Sequence, residues 1–243
     1  MQYWLRQTDR QEQQYYYLKL DISKYFYRVD HAVLIELIKR KISDKGLVNL
    51  LCTIINSEDM KFGLPEGVNP DEIPEEERLM EVGMPIGNLT SQMFANLYLN
   101  ELDQFAKHNL RLRHYIRYMD DVIIIHPDKK YLAVVKDEIE QFLNAELKLQ
   151  LNNKTAIRPC SMGVDFVGFR TWATHRKLKK KTAKKIKRRL KYLFEAYVRG
   201  EISAEHMESS IASYKGIMKH CNSYGLRQEL NRLYKQSGVK LKK

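Results

Sequence analysis

The chain has 243 residues, 44% of them hydrophobic, enough for one large or two small cores. No apolar run approaches the ~20 residues of a membrane-spanning helix, residues 1–14 lack a signal-peptide core, and three scattered cysteines show neither CxxC nor zinc spacing, so a reduced, cytoplasmic setting with no membrane partner is expected. The net charge of +12 is uneven: residues 161–243 carry 21 Lys and Arg against 6 Asp and Glu, a balance of +15 that leaves −3 elsewhere, and that basic end calls for a polyanion.

In chain order, the first clear element is Leu18–Ile22, which alternates apolar and polar residues and reads as a strand with Asp21 at its end. Asp30 caps a helix through Leu34, Leu37 and Ile38; Asp44 caps another with the stripe Leu47, Leu50, Leu51, Ile54, Ile55. Residues 61–82 hold Pro65, Pro70, Pro74, two glycines and a cluster of acids, and read as an exposed loop. Ser91 opens a helix with Phe94, Leu97, Tyr98, Leu102 and Phe105 on one face. Tyr115–Arg117 and Val122–Ile125 are strand-like runs flanking Tyr118-Met119-Asp120-Asp121, a β-hairpin with two acids at its turn. Asp128 caps a helix through Leu132, Val135, Ile139, Phe142 and Leu143, and strands follow. After Thr171 the pattern is helical: Ile186, Leu190, Leu193, Phe194 and Tyr197, a break at Arg199-Gly200, then Ser203 capping a helix with Met207, Ile211, Tyr214, Met218 and Cys221. The order predicts an α+β fold, helices layered on an antiparallel sheet. His31, His114, His126 and His175 show no metal spacing and are expected at surface or capping positions.

Two adjacent carboxylates are costly to crowd unless a cation neutralises them. Mg²⁺ takes carboxylate oxygens together with substrate phosphates. For a bare Asp-Asp dipeptide a solvated turn is the commoner explanation. Asp21, ending a strand about a hundred residues upstream, changes that balance: three carboxylates on neighbouring strands make a cage for two Mg²⁺ ions, with Mn²⁺ as a substitute, roughly 3.5–4 Å apart.

Five stretches occur in a telling order: Leu18–His31 (LKLDISKYFYRVDH), Gly83–Asp103 (GMPIGNLTSQMFANLYLNELD), Ile116–Ile125 (IRYMDDVIII), Leu149–Thr155 (LQLNNKT) and Val164–Arg170 (VDFVGFR). They resemble palm motifs A to E of reverse transcriptases. Within the second, Ile86–Gln92 has an aliphatic first residue and Gln last, where retroviral and group II intron enzymes usually carry Gln and Pro; it resembles the enzymes of diversity-generating retroelements. Ser213–Leu226 is similar to the thumb of the same bacterial group.

The resemblance implies a right-hand polymerase: a palm with a fingers remnant over residues 1–170, its helices on one face of the sheet, and a small all-α basic thumb over 171–243. It implies RNA-directed DNA polymerisation with an RNA template, a DNA primer and deoxynucleotides, and a basic accessory protein. By resemblance Asp21 and Asp120 bridge the metals, the Ile22 carbonyl assists, and Asp121 is more peripheral. Phe26 is the steric gate against a ribose 2′-hydroxyl, with an ordinary core Phe as the alternative. Ile86 and Gly87 border the nucleotide; Gly87 permits close backbone approach, and an aliphatic Ile86 loosens base selection, in keeping with that family's adenine-directed mutagenesis. Gln92 reaches the template, or is simply a polar helix residue. Lys154 is placed as general acid for pyrophosphate, or is a plain surface lysine. Phe166 and Gly168 belong to the primer-grip hairpin. Twelve basic residues lie in 176–199 against one acid, Glu195; Lys184, Lys185, Arg188 and Arg189 are expected to meet template and primer phosphates, the alternative being a solvated face.

Two other readings stand beside the retroelement polymerase: a retron, group II intron-like or phage-defence reverse transcriptase, and a nucleic-acid-binding remnant inactive without fingers. In this family the fingers precede motif A by several tens of residues, whereas twenty residues precede Asp21. A fragment, a truncated product or half of a split enzyme is the expectation.

Overall fold

The computed structural model describes residues 1–56 and 61–237. Internal contacts divide the chain into two compact units, one of residues 15–158, the other of residues 1–14 with 159–243. Helix α1 (Gln2–Asp9) belongs to the second unit.

The first unit is built from β1 (Tyr16–Asp21), the short α2 (Tyr25–Arg28), α3 (His31–Lys41), α4 (Lys45–Ile55), α5 (Leu89–Gln104), β2 (Tyr115–Tyr118), β3 (Asp121–His126), α6 (Lys129–Leu147) and β4 (Ala156–Pro159). The strands form one sheet in the order β2-β3-β1-β4, antiparallel between β1 and β3 and between β2 and β3. Strand side chains alternate between faces. Leu18, Leu20, Val122 and Ile124 share a hydrophobic core with Leu34, Phe94, Tyr98, Leu102, Leu132 and Ile139 of the helices. This is the expected layer of helices on an antiparallel sheet.

Three helix starts are those predicted. Asp30 accepts from the Val33 amide at 2.9 Å, Asp44 from Leu47 at 2.7 Å, and Asp128 from Lys130 at 2.7 Å, each cap contributing about 1 kcal/mol. Helix α5 starts at Leu89 rather than Ser91, which is buried. In α4 the buried residues are Val48 and Leu51, while Leu47, Leu50 and Ile54 are exposed. That helix is apolar nearly all round, so two stripes fit its sequence equally well and only packing selects one.

The segment 61–82 is more than a surface loop. Gly63 and Leu79 exchange backbone bonds at 3.0 and 2.9 Å, Leu64 is fully buried, Phe62 stacks on Tyr27 at 4.9 Å, and Arg28 donates to the Leu64 carbonyl at 2.7 Å. Its apolar root is anchored and its acids face water. His31, expected at a surface or capping position, is the first residue of α3 and is buried, with Nε2 paired to the Gly83 carbonyl at 2.7 Å.

The second unit holds a three-stranded sheet, β5 (Val164–Phe166), β6 (Phe169–Thr171) and β7 (Arg176–Leu178), then α7 (Lys180–Val198), α8 (Ala204–Lys219) and α9 (Tyr224–Ser237). Ile186, Leu190, Leu193, Phe194, Met207, Ile211 and Met218 form its core, as the periodicity predicts. Helix α9 and strand β7 are additions to that reading: Leu226, Leu230 and Leu233 complete the core, and β7 pairs with β6. Cys221 lies past the end of α8 rather than on its apolar stripe. Helix α1 docks here too, Arg6 donating to the Ala173 carbonyl at 3.1 Å. All three cysteines are free, and burial pushes the Cys160 thiol up to about 12. No described helix is long and apolar enough to cross a membrane.

Candidate active site

The register of β1 against β3 ends on Asp21 opposite Asp121. Tyr118 pairs with Asp121, so Met119 and Asp120 are the two-residue turn between β2 and β3. The sequence placed both acids at the turn; only Asp120 is there, and Asp121 is the first residue of β3. Met119 takes φ +54°, a left-handed conformation usually left to glycine. Such a backbone persists only where its surroundings hold it.

Arg117 holds it from beneath. Its guanidinium pairs in a bidentate way with Asp103 at the end of α5, Nε to Oδ1 at 2.8 Å and Nη2 to Oδ2 at 2.5 Å, and Nη1 donates to the Met119 carbonyl at 3.1 Å. Tyr115 donates to the same carboxylate at 2.7 Å. Tyr25 anchors the segment after Asp21 by donating to the Ala95 carbonyl at 2.6 Å, and burial raises its phenol well above the ordinary range. Removing one partner of a buried ion pair costs about 3–5 kcal/mol. The Arg117 side chain is 9% exposed and Asp103 30%, so Asp103→Ala should lower unfolding free energy by about 2–3 kcal/mol in urea titrations. Adding Arg117→Met should recover part of that loss. Strictly additive losses in the double variant would show that the pair is not coupled.

Asp120 senses the other two acids. Burial raises the Asp120 carboxyl above its usual range, the charges of Asp21 and Asp121 raise it further, and Lys19 opposes them. Lys19 also makes an ion pair with Asp121 Oδ1. Among the described residues no three such side chains stand close enough to hold a metal ion as they are. The donor set nevertheless suits a hard divalent cation: oxygen ligands alone, with Asp120 placed where burial and its acidic neighbours disfavour its ionisation. Next to Asp21, Ile22 bridges Leu151. Asn152 donates to the Asp21 carbonyl at 2.7 Å and Ser23 to the Gln150 carbonyl at 2.8 Å. In that antiparallel pattern the carbonyl of Ile22 itself is turned to the opposite edge, the β3 side.

Lys154 is exposed, but its amide donates to Asn152 Oδ1 at 3.0 Å, in the turn fastened to Asp21. Phe26 is half-buried against the core with its ring edge to Tyr25 at 5.5 Å. Its carbonyl accepts from Met84 at 2.7 Å, and the Val29 carbonyl from Gly83 at 2.8 Å. Those bonds bring the segment carrying Ile86 and Gly87 beside the helix of Phe26. Ile86 is exposed. Gly87 has φ +108° with no atom near a built Cβ, so backbone conformation alone requires glycine there. Gln92 is exposed in the first turn of α5. Phe166 and Gly168 lie in the other unit. Phe166 pairs with Phe169 across a turn in which Val167 and Gly168 both have positive φ, +45° and +79°, as a two-residue hairpin of this hand requires. Lys184, Lys185, Arg188 and Arg189 are exposed on α7.

Sequence reasoning missed Lys19, Asp103, Arg117 and Asn152. Lys19 and Arg117 each stand two residues from an acid or the turn on the same strand, which was the available signal.

An antiparallel sheet backed by helices, with a carboxylate at one strand end facing a hairpin that carries two more, has the layout of a polymerase palm. Residues 2–171 match the reverse transcriptase (RNA-dependent DNA polymerase) family, and the chain belongs to it. It is similar to protein YkfC of Escherichia coli strain K12, 27% identical over 183 residues covering 62% of this chain and 45% of that protein. It is also similar to a putative COX1/OXI3 intron 2 protein of Saccharomyces cerevisiae, 24% identical over 202 residues covering 63% of this chain and 23% of that protein. The chain thus spans less than half the length of these relatives. Among solved structures, telomerase from Candida tropicalis in complex with a fragment of telomeric RNA aligns with a TM-score of 0.52, 15% identity, over 96% of this chain and 41% of that one. The apo telomerase from the same species gives 0.51 and 15% identity over 97% and 48%. These structures share the fold.

Proposed function

We propose that this chain carries the catalytic palm of an RNA-directed DNA polymerase that adds deoxynucleotides to a primer by two-metal phosphoryl transfer. The observation that carries this reading is the register that sets Asp21 opposite Asp121 with Asp120 in the adjoining turn, in a chain of the reverse transcriptase family. Asp21, Asp120 and Asp121 with the Ile22 carbonyl would hold the Mg²⁺ ions. Bound there, the metals would lower the pKa of the primer 3′-hydroxyl and carry the charge of the leaving pyrophosphate.

The residues have separate tasks in this reading. Arg117 and Asp103 keep the turn in its left-handed conformation, so Asp120 needs no rearrangement when charge develops. Lys19 balances the charge of Asp121, so Asp21 and Asp120 would be the acids most available to hold the metal ions. Lys154, on the turn fastened to Asp21, supplies a proton to the leaving group. Ile86 and Gly87 shape the nucleotide side, Gln92 meets the template, and Phe166 and Gly168 support the primer end. Residues 171–243, the thumb of this reading, bind nucleic acid.

Phe26 is the sugar gate. A ring five residues beyond Asp21 leaves no space for a 2′-hydroxyl, so Phe26→Val should raise ribonucleotide incorporation relative to the matching deoxynucleotide by tenfold or more, about 1.4 kcal/mol. An unchanged ratio in single-nucleotide extension removes that role from Phe26.

Extension of a DNA primer on an RNA template, dependent on Mg²⁺, tests the whole reading. The Ile86–Gln92 block supports a diversity-generating retroelement as its setting, with errors concentrated at template adenines. A second reading, an intron-encoded polymerase, is favoured by the similarity to the yeast intron protein; an error spectrum without adenine bias selects it.

A further inference from the structure

Helix α7 carries two cationic stripes. Lys180, Lys184, Lys187 and Lys191 recur at helical spacing along one, and Lys185, Arg188, Arg189 and Tyr192 along the other. The second stripe borders a groove of about 500 Å³ lined by Lys185, Arg188, Arg189, Tyr192 and, from α8, Tyr214. That is the size of a small-ligand site, and no acid is among these lining residues.

The aromatic content sets this stripe apart from a lysine face. Tyr192 keeps 44% of its surface exposed although the core of this unit accommodates other rings. The Arg189 guanidinium lies over that ring, 4.8 Å from its centroid, which fixes the ring's orientation and brings a charge to its side. Tyr214 is half-buried against the helical core and forms a wall. Three cations around an exposed ring offer phosphates a partner and a base a stacking surface. A duplex satisfies only the first, because its bases are already stacked on one another. A single strand satisfies both.

We propose that this groove is a binding site for an unpaired nucleotide of single-stranded nucleic acid, its base stacked on Tyr192 and its flanking phosphates held by Lys185, Arg188 and Arg189. The proposal draws on the polymerase reading only for the source of the strand, and it needs neither metal nor catalysis.

The test is equilibrium binding of the full chain to labelled, unstructured single-stranded RNA and DNA oligonucleotides and to a blunt duplex of the same sequence, across a salt series. Tyr192→Ala should weaken single-strand binding about five- to a hundredfold, the value of one stacked base, and leave duplex affinity within about twofold. It should leave the salt slope unchanged, since it removes no charge. Tyr192→Phe should restore binding. Arg188→Gln should flatten the slope. Comparing RNA with DNA tells which strand is held, and a preference for either supports the site. Equal loss for duplex and single strand, or no loss for the single strand, overturns it. Failure of primer extension leaves this measurement untouched, so the two readings fail separately.

Discussion

Asp120→Asn should abolish primer extension while leaving the protein as stable as before, or more so. Loss of a bridging ligand removes several kcal/mol of transition-state stabilisation, and each 1.36 kcal/mol is tenfold in rate, so roughly a thousandfold loss or more is expected. The stability half of the result comes from the environment of the acid. Burial and the charges of Asp21 and Asp121 raise the Asp120 carboxyl, so its ionised form is disfavoured by the fold at neutral pH. A neutral isostere relieves that repulsion without disturbing the turn, which rests on Arg117 and the Met119 carbonyl. Extension rates and urea midpoints of the two proteins check both halves. Retained extension would falsify the metal assignment; lost extension with a collapsed midpoint would assign Asp120 a structural role instead.

Nucleic-acid affinity should fall about a thousandfold between 50 and 200 mM salt. Residues 161–243 hold a balance of +15, and α7 presents Lys184, Lys185, Arg188 and Arg189 to solvent. Each phosphate neutralised contributes a slope of about −0.9 in log K against log salt for duplex DNA, so about six contacts produce that loss. Changing these four residues together to Glu should flatten the slope and weaken binding irrespective of sequence. Binding insensitive to salt, or untouched by the four reversals, would reduce the lysine-rich helix to a solvated face.

The legible parts of this protein are those whose chemistry is local. Asp30, Asp44, Asp128 and Ser203 cap helices because a side-chain oxygen reaches an amide two or three residues ahead, and no distant residue is needed for that. Leu18 and Leu20 could be assigned to one buried face because period two is a property of the strand itself. Motif order singled out the three acids, which the fold brings to neighbouring strand ends and the turn between them. Gly87 was marked for close backbone approach to a nucleotide, whereas its φ of +108° gives a separate reason for glycine there. Helix α9 escaped because Leu226, Leu230 and Leu233 form a narrow stripe among polar residues.

Pairing between residues far apart in the chain decided the rest. That Asp120 occupies the turn follows from the register of β2 against β3, and that Asp121 faces Asp21 follows from the register of β1 against β3, which a hydrophobic pattern restricts to one face but does not by itself place to the residue. The Arg117–Asp103 clamp joins a strand to a helix end, and the Lys19–Asp121 pair joins two strands; neither partner predicts the other. In α4, apolar on nearly every side, packing buried Val48 and Leu51 and exposed Leu50 and Ile54. The Tyr192 groove exists because α8 delivers Tyr214 opposite a stripe of α7. Residue identity and local period therefore establish which groups are available and on which kind of element, whereas register and helix packing establish which of them meet, because contact energies between distant segments are summed only once the chain has folded.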